Sequence, residues 1–338
     1  PLVFLLQGLV ILIYSTYLAD NEISGYSMVG LITLLALIST SKELLLAILQ
    51  SKKEMLIYNR CLAIESFSIF MILLFSSLLN FSMLTSIFLA VLLAPVVGFS
   101  NVAVSSMKQF GWSKPQGKPQ KPLISFAAKT YPGVLIAFLN NRFSIVFITA
   151  FFSIEALGVF SIALTLSEKL LTLARSVSLS IFPRVAEEKS SANIYVPIVA
   201  GVTFWVTALG TVTLAILAEF IIIQLYGEGF REGISFLYIF CFTVPFFAVN
   251  RILAQDLSGR GKPEINIITS SVALITNIAL CFILHNDLGL IGIVIAYSCS
   301  MLINTLLKVA IWRLISQQPA IKLFVIDVSF IKTYFKKL

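Results

Sequence analysis

The stretch 140-NNRFSIVFITAFFSIEALGVFSIALTLSEKLLTLARSVSLSIFPRVAEE-188 decides how this chain is read. It consists of two apolar runs joined by a very short turn, with charges set inside the runs. At 100° per residue, Ser161, Thr165, Glu168, Thr172 and Arg175 fall within an arc of about 80° on one helix face. Leu179 returns to that arc, so the stripe ends about one turn after Arg175. Hydrocarbon cannot solvate such a stripe, so it must face protein or water.

The rest of the chain agrees that the solvent is a bilayer. Hydrophobic residues make up 58% of 338, and the mean hydropathy is +0.98. Ten runs are long enough to cross as helices, each needing about 20 residues. They are 2–19, 27–50, 59–79, 82–104, 124–152, 155–183, 193–219, 231–254, 264–284 and 288–313. The expected fold class is all-α, a polytopic transmembrane helical bundle.

The formal charge of +8 raises the question of nucleic acid, but its distribution answers otherwise. Loops on one side hold 17 basic residues, from Lys52 and Lys53 through Arg184, Arg251 and Arg260 to Lys337; those on the other hold only Arg231. That asymmetry is the orientation signal of a membrane protein and places both visible ends in the cytoplasm. Cys61, Cys241, Cys281 and Cys299 lie in or beside apolar runs without CxxC or Cys/His spacing, which reads as structural thiols. No metal, cofactor or catalytic residue is expected. GRGKPE at 259–264 lacks phosphate-loop spacing, because Asp256 stands where the first glycine belongs.

The segment 106–122, SMKQFGWSKPQGKPQKP, is rich in Pro, Gly, Lys and Gln and is expected to be a cytoplasmic linker. It divides the chain into an N-terminal bundle (1–105) and a six-helix C-terminal bundle (123–315). It serves as a plain connector or as a hinge. Residues 316–338 form a cytoplasmic tail, whose segment 321–338 lies on the leaflet as an interfacial helix or is disordered.

Each charge in mid-span costs about 2.5–3.5 kcal/mol and needs a reason. Lys129 and Lys308 lie close enough to the cytoplasmic side to snorkel. Glu65 sits near the cytoplasmic entry, in reach of headgroups. Arg142, beside Asn140 and Asn141, lies deeper. Glu168 and Arg175 read either as a structural bridge between helices or as the wall of a hydrated cavity. The hydroxyls on the same stripe favour the cavity. Lys42, Glu43 and Glu65 are further candidates. Basic residues within the spans outnumber acids six to three, which suits an anionic substrate such as a phosphate or pyrophosphate.

Asn141-Arg142, Gly158-Val159-Phe160-Ser161-Ile162-Ala163, Glu168 and Phe182-Pro183-Arg184 occur in an order that resembles the O-antigen flippases. These are polysaccharide-repeat exporters of the MATE-like superfamily. Tyr226-Gly227 with Phe230, Gly261-Lys262-Pro263, Asn277 and Gly289-Leu290-Ile291-Gly292 continue the likeness. The resemblance implies twelve spans in two bundles, so the ten visible here would be the third to twelfth. It implies a multi-pass protein of the bacterial inner membrane that is not an enzyme. Its substrate would be an undecaprenyl-pyrophosphate-linked oligosaccharide, moved between leaflets for O-antigen or a similar surface glycan. Membrane lipids would surround it, and a polysaccharide polymerase with its chain-length machinery would be its partners. The cavity residues would be Arg142, Glu168, Arg175, Asn141, Thr165, Thr172 and Lys42. The family often carries an Asp where this chain has Ser144, which leaves Arg142 without a local partner. The alternatives are a multidrug exporter of the same superfamily, or a polysaccharide polymerase or ligase.

Overall fold

In lipid, every backbone polar group must be satisfied within its own segment, so these apolar runs become helices. The computed structural model describes residues 24–52, 54–111, 121–187 and 189–325, and among them there is no strand. The expected first span, 2–19, lies outside the described residues. The long helices are α1 (Ser24–Ser51), α2 (Met55–Leu78), α3 (Met83–Phe110), α4 (Lys121–Phe151), α5 (Ile154–Glu187) and α6 (Lys189–Ile216). A short α7 (Ala218–Tyr226) and a 3-10 turn (Glu228–Phe230) precede α8 (Gly233–Gly259) and α9 (Glu264–Ser316). A second 3-10 turn, Ala320–Leu323, follows α9. Eight of the helices are long and apolar enough to cross a bilayer. Pro95, Pro132, Pro197 and Pro245 lie inside four of them, a placement that neighbouring helices make tolerable in membranes.

The α9 helix contains two of the expected spans. Gly289 interrupts its 53 residues with φ 56° and ψ −135°, a combination open only to glycine. A Cβ at Gly292 would stand 2.5 Å from the Leu284 carbonyl oxygen, so the chain folds back on itself here as two arms.

The chain divides into two compact units, 1–117 and 118–338. In the first, α1, α2 and α3 pack together. Ser82 caps α3 by accepting a hydrogen bond from the Thr85 amide at 3.2 Å. Lys42 of α1 is buried and donates to both carboxylate oxygens of Glu65 on α2, at 2.7 and 2.9 Å. Glu65 is therefore an inter-helix partner, not the headgroup contact expected of it. The space it occupies exists because position 98 of α3 is glycine: a Cβ there would meet its Cδ at 2.9 Å.

In the second unit α8 is central, packed by α5, α6 and α9, while α4 packs on α9. One cluster joins Phe147 and Ile148 of α4, Phe160 and Ala163 of α5, Phe236 and Phe240 of α8 and Ile293 of α9. A second joins Ile181, Val196, Ile252 and Trp312. Small residues (Ala163, Ala174, Ala200, Ala248, Ala296) bring the helices close, which is what drives association where no hydrophobic effect operates between helices. Between α4 and the first arm of α9 a polar contact adds to the aromatic packing of Phe147 on Phe282. Asn277 donates to the carbonyl and Oδ1 of Asn140, at 3.3 and 3.2 Å, and to Ser144 at 3.4 Å.

Several boundaries differ from expectation. Ser106–Phe110 continue α3 and Lys121 already opens α4, so helix enters the 106–122 segment from both ends; 112–120 lie outside the described residues. The stretch 220–230 between two expected spans is not an open loop but the last part of α7 and a 3-10 turn. Arg231 closes it, bonded to Glu228 at 2.8 Å and Glu219 at 3.0 Å; the guanidinium holds the Glu228 carboxyl below its usual range. The described start of the tail, 320–325, is docked on the second unit. Leu323 is fully buried, and the Phe324 carbonyl accepts a 2.8 Å bond from the Trp205 indole of α6, with Val325 against Gly201. Phe324 meets Phe204 edge to face. Residues 326–338 lie outside the described residues.

Candidate functional site

The polar stripe of α5 stays open. Phe160, Ala163, Leu164, Leu171 and Ala174 supply the helix's buried face, and the stripe takes the arc beside it. Ser161 is half-buried, while Thr165, Glu168, Thr172 and Arg175 are exposed. Among the described residues Glu168 and Arg175 form no ion pair, with each other or with any partner.

Glu168 stands at a cleft whose walls come from three helices. Leu164, Ser167 and Leu171 of α5 face Phe240, Thr243, Val244 and Phe247 of α8 and Tyr297 and Met301 of α9. One turn beyond Phe247, the Arg251 guanidinium lies 5.1 Å from that ring's centroid, a cation–π distance. Arg251 feels the charges of Arg175 and Glu168. Tyr297, buried in the cleft wall, lies within electrostatic reach of Glu168, Arg251 and Arg142. Arg142 itself is exposed on α4, its Cζ 5.9 Å from the Phe138 ring centroid. Of its two neighbours, Asn140 turns into the buried contact with Asn277 and Asn141 is half-buried.

Lys308 corrects the sequence expectation most sharply. It does not snorkel: only 3% of it is exposed, and its Nζ donates to Asn250 Oδ1 at 3.0 Å. It also feels the charge of Arg251. Lys129, by contrast, is exposed. Lys42 belongs to the first unit, where Glu65 balances its charge.

Arg175 and Glu168 thus lie within electrostatic reach of Arg251, Lys308 also lies within reach of Arg251, and Arg142 lies within reach of Tyr297. None of these four cations and one acid closes an ion pair among the described residues. Arg251, Asn250 and Tyr297 were missed by the sequence reading. Arg251 falls at the edge of an apolar run and was counted with the loops, whereas α8 continues two turns past it to Gly259. Helical spacing held the missing signal, since Thr243, Phe247 and Arg251 recur every fourth residue on one face.

No family model matches the sequence, and no curated protein matches it. Solved structures do. A crystal structure of a MATE protein in the bent conformation aligns with 92% of this chain and 74% of its own, at 14% identity and a TM-score of 0.71. A variant of the Vibrio cholerae MATE transporter VcmN aligns with 94% of this chain and 80% of its own, at 13% identity and a TM-score of 0.70. The lipid II flippase MurJ, in an inward closed conformation, aligns with 98% of this chain and 74% of its own, at 16% identity and a TM-score of 0.63. The protein is an all-helical, multi-pass membrane protein with the fold these MATE and MurJ structures share.

Proposed function

We propose that this protein is a flippase for an undecaprenyl-pyrophosphate-linked oligosaccharide, working in a bacterial inner membrane for O-antigen or a similar surface glycan. The observation that carries the reading is the surplus of cations around Glu168, with Arg175 and Arg251 within its electrostatic reach and the buried Lys308 within reach of Arg251. A sugar chain bearing two phosphates cannot enter hydrocarbon, so cationic and hydroxyl groups must carry the head while the lipid tail stays in the bilayer. Arg142, Arg175 and Arg251 are the phosphate contacts in this reading. Asn141, Thr165, Glu168 and Thr172 meet the sugar, and Lys42 serves as a reserve cation held by Glu65. The fold shared with a lipid II flippase is consistent with a lipid-linked cargo. A polysaccharide polymerase and its chain-length machinery would act next on the product.

Its fold is equally that of MATE structures, which makes a multidrug exporter the second reading. Cationic drugs call for acids in the cavity, and the charge balance here is opposite.

The test is a host lacking the gene. Lipid-linked repeats trapped on the cytoplasmic leaflet, with surface glycan lost and restored by the intact gene, support the proposal. Normal glycan with altered drug tolerance would overturn it in favour of the exporter. Single repeats reaching the periplasm unpolymerised would point to an enzyme.

A further inference from the structure

Two consecutive residues of α8 each leave a buried donor without an acceptor. Lys308 carries only donors, so the atom of Asn250 that faces it is the amide oxygen. The Asn250 Nδ2 is thereby turned away, buried and unpartnered among the described residues. The next residue, Arg251, buries its Nε with no acceptor either. Behind them stands the Lys308 ammonium, 3% exposed, with one neutral partner and no carboxylate among the described residues. Buried polar groups are nearly always satisfied, and a buried charge is paired. The buried orphan one turn before Lys308, Asn304 Oδ1, is an acceptor; the two orphans on α8 are both donors and the charge beside them is positive. An anion bearing several acceptor oxygens is the complement of such a set.

From this arrangement we infer that Asn250, Arg251 and Lys308 form a seat for a phosphate-type anion, set apart from the open α5 stripe. Arg251 and the Asn250 amide donate to the anion. Lys308 is a positioning residue that fixes the amide's orientation and adds its charge from behind. The inference rests on the flippase reading insofar as the anion is the cargo's pyrophosphate; a free phosphate would satisfy the same donors. The stripe's carboxylate and hydroxyls, Glu168, Ser161, Thr165 and Thr172, are then left for the sugar. That division gives the cargo a fixed polarity in the second unit: phosphate toward Lys308, sugar toward Ser161.

The experiment measures binding of farnesyl pyrophosphate, inorganic pyrophosphate and farnesol to the purified full chain in detergent. Wild type is compared with Lys308→Gln, Asn250→Ala and Arg175→Gln, each first checked for a wild-type elution profile and melting temperature. A charge-assisted hydrogen bond is worth about 1.5–3 kcal/mol, so Lys308→Gln and Asn250→Ala should each weaken pyrophosphate binding by about 10- to 100-fold. Farnesol binding should not change. Lys308→Arg, which keeps charge and donors, should recover part of the loss; if Lys308→Gln does not fold, Asn250→Ala alone carries the test. Stronger binding of the farnesyl ester than of inorganic pyrophosphate assigns the seat to a lipid headgroup. Equal binding supports the seat and assigns it to a free anion. Undiminished binding in Lys308→Gln and Asn250→Ala, with loss in Arg175→Gln, overturns the seat and leaves the flippase reading standing. Absence of pyrophosphate binding in wild type overturns the seat, and the gene-deletion phenotype then judges the flippase reading separately.

Discussion

Replacing Lys42 by Met separates two roles for that residue, partner of Glu65 or cation of the transport path. Its ammonium lies 2.7 and 2.9 Å from the two Glu65 oxygens, and the side chains are only 11% and 17% exposed. At an effective dielectric of about 20, a 2.7 Å pair attracts by roughly 6 kcal/mol before desolvation is counted. Desolvation offsets most of that while both partners are present. Removing one leaves the other buried and uncompensated, a loss of about 3–5 kcal/mol. Lys42→Met and Glu65→Leu alone should therefore each destabilise the first unit by that amount. Together they should return to within about 1–2 kcal/mol of wild type, since two apolar side chains need no partner. The assay is a double-mutant cycle from equilibrium unfolding in mixed detergent micelles, with surface glycan measured in cells carrying each variant. Two single losses that simply add would refute the pairing. Glycan abolished in the double variant at wild-type stability would refute the view that Lys42 serves structure first.

Three further outcomes follow from named contacts. Trp205→Phe removes the donor to the Phe324 carbonyl at 2.8 Å; it should loosen the docked segment Ala320–Val325 by about 1 kcal/mol, read as faster amide exchange there and not in α8. Gly289→Ala forces a side chain onto φ 56°, ψ −135° and should cost about 1–3 kcal/mol in thermal unfolding, while Gly229→Ala, with open space around its Cβ, should cost far less. The Glu228 carboxyl is held low in the folded protein by Arg231, so its contribution is present above the ordinary value of 4.5 and lost as pH falls through the depressed folded value. Exchange of the amides at 227–231 should thus be flat from pH 7 to about 5 once intrinsic rates are removed, and rise only below the ordinary carboxylate range.

The helical class was legible because its cause is local: a run of apolar residues fixes a span whatever surrounds it. The polar stripe of α5 was legible for the same reason, since periodicity alone places Thr165, Glu168, Thr172 and Arg175 on one face. The partners of those residues were not. Whether Lys308 reaches water or Asn250 depends on which face of α9 meets α8, and a helical wheel of either helix is silent about the other. Arg251 was misplaced because it falls three residues before the expected end of its span at 254 and was counted with the basic loop, while the backbone continued to Gly259. The docked tail was hidden by mixed composition: Lys322 reads as a surface signal, and the burial of Leu323 one residue later depends on a pocket built by α6, α8 and α9.

The fold-back at Gly289 gives the second unit an internal gauge of its own motion. Its first arm is fastened to α4, through Asn277 to Asn140 and through Phe282 to Phe147. Its second arm is fastened to α8, through Lys308 to Asn250, Thr305 to the Phe246 carbonyl, and Tyr297 to Phe240. If α4 slides against α8, arms anchored this way must change the angle between them, and the change concentrates at one glycine. Spin labels at 283 and 295, one on each arm, would therefore report displacement of two helices that carry neither label.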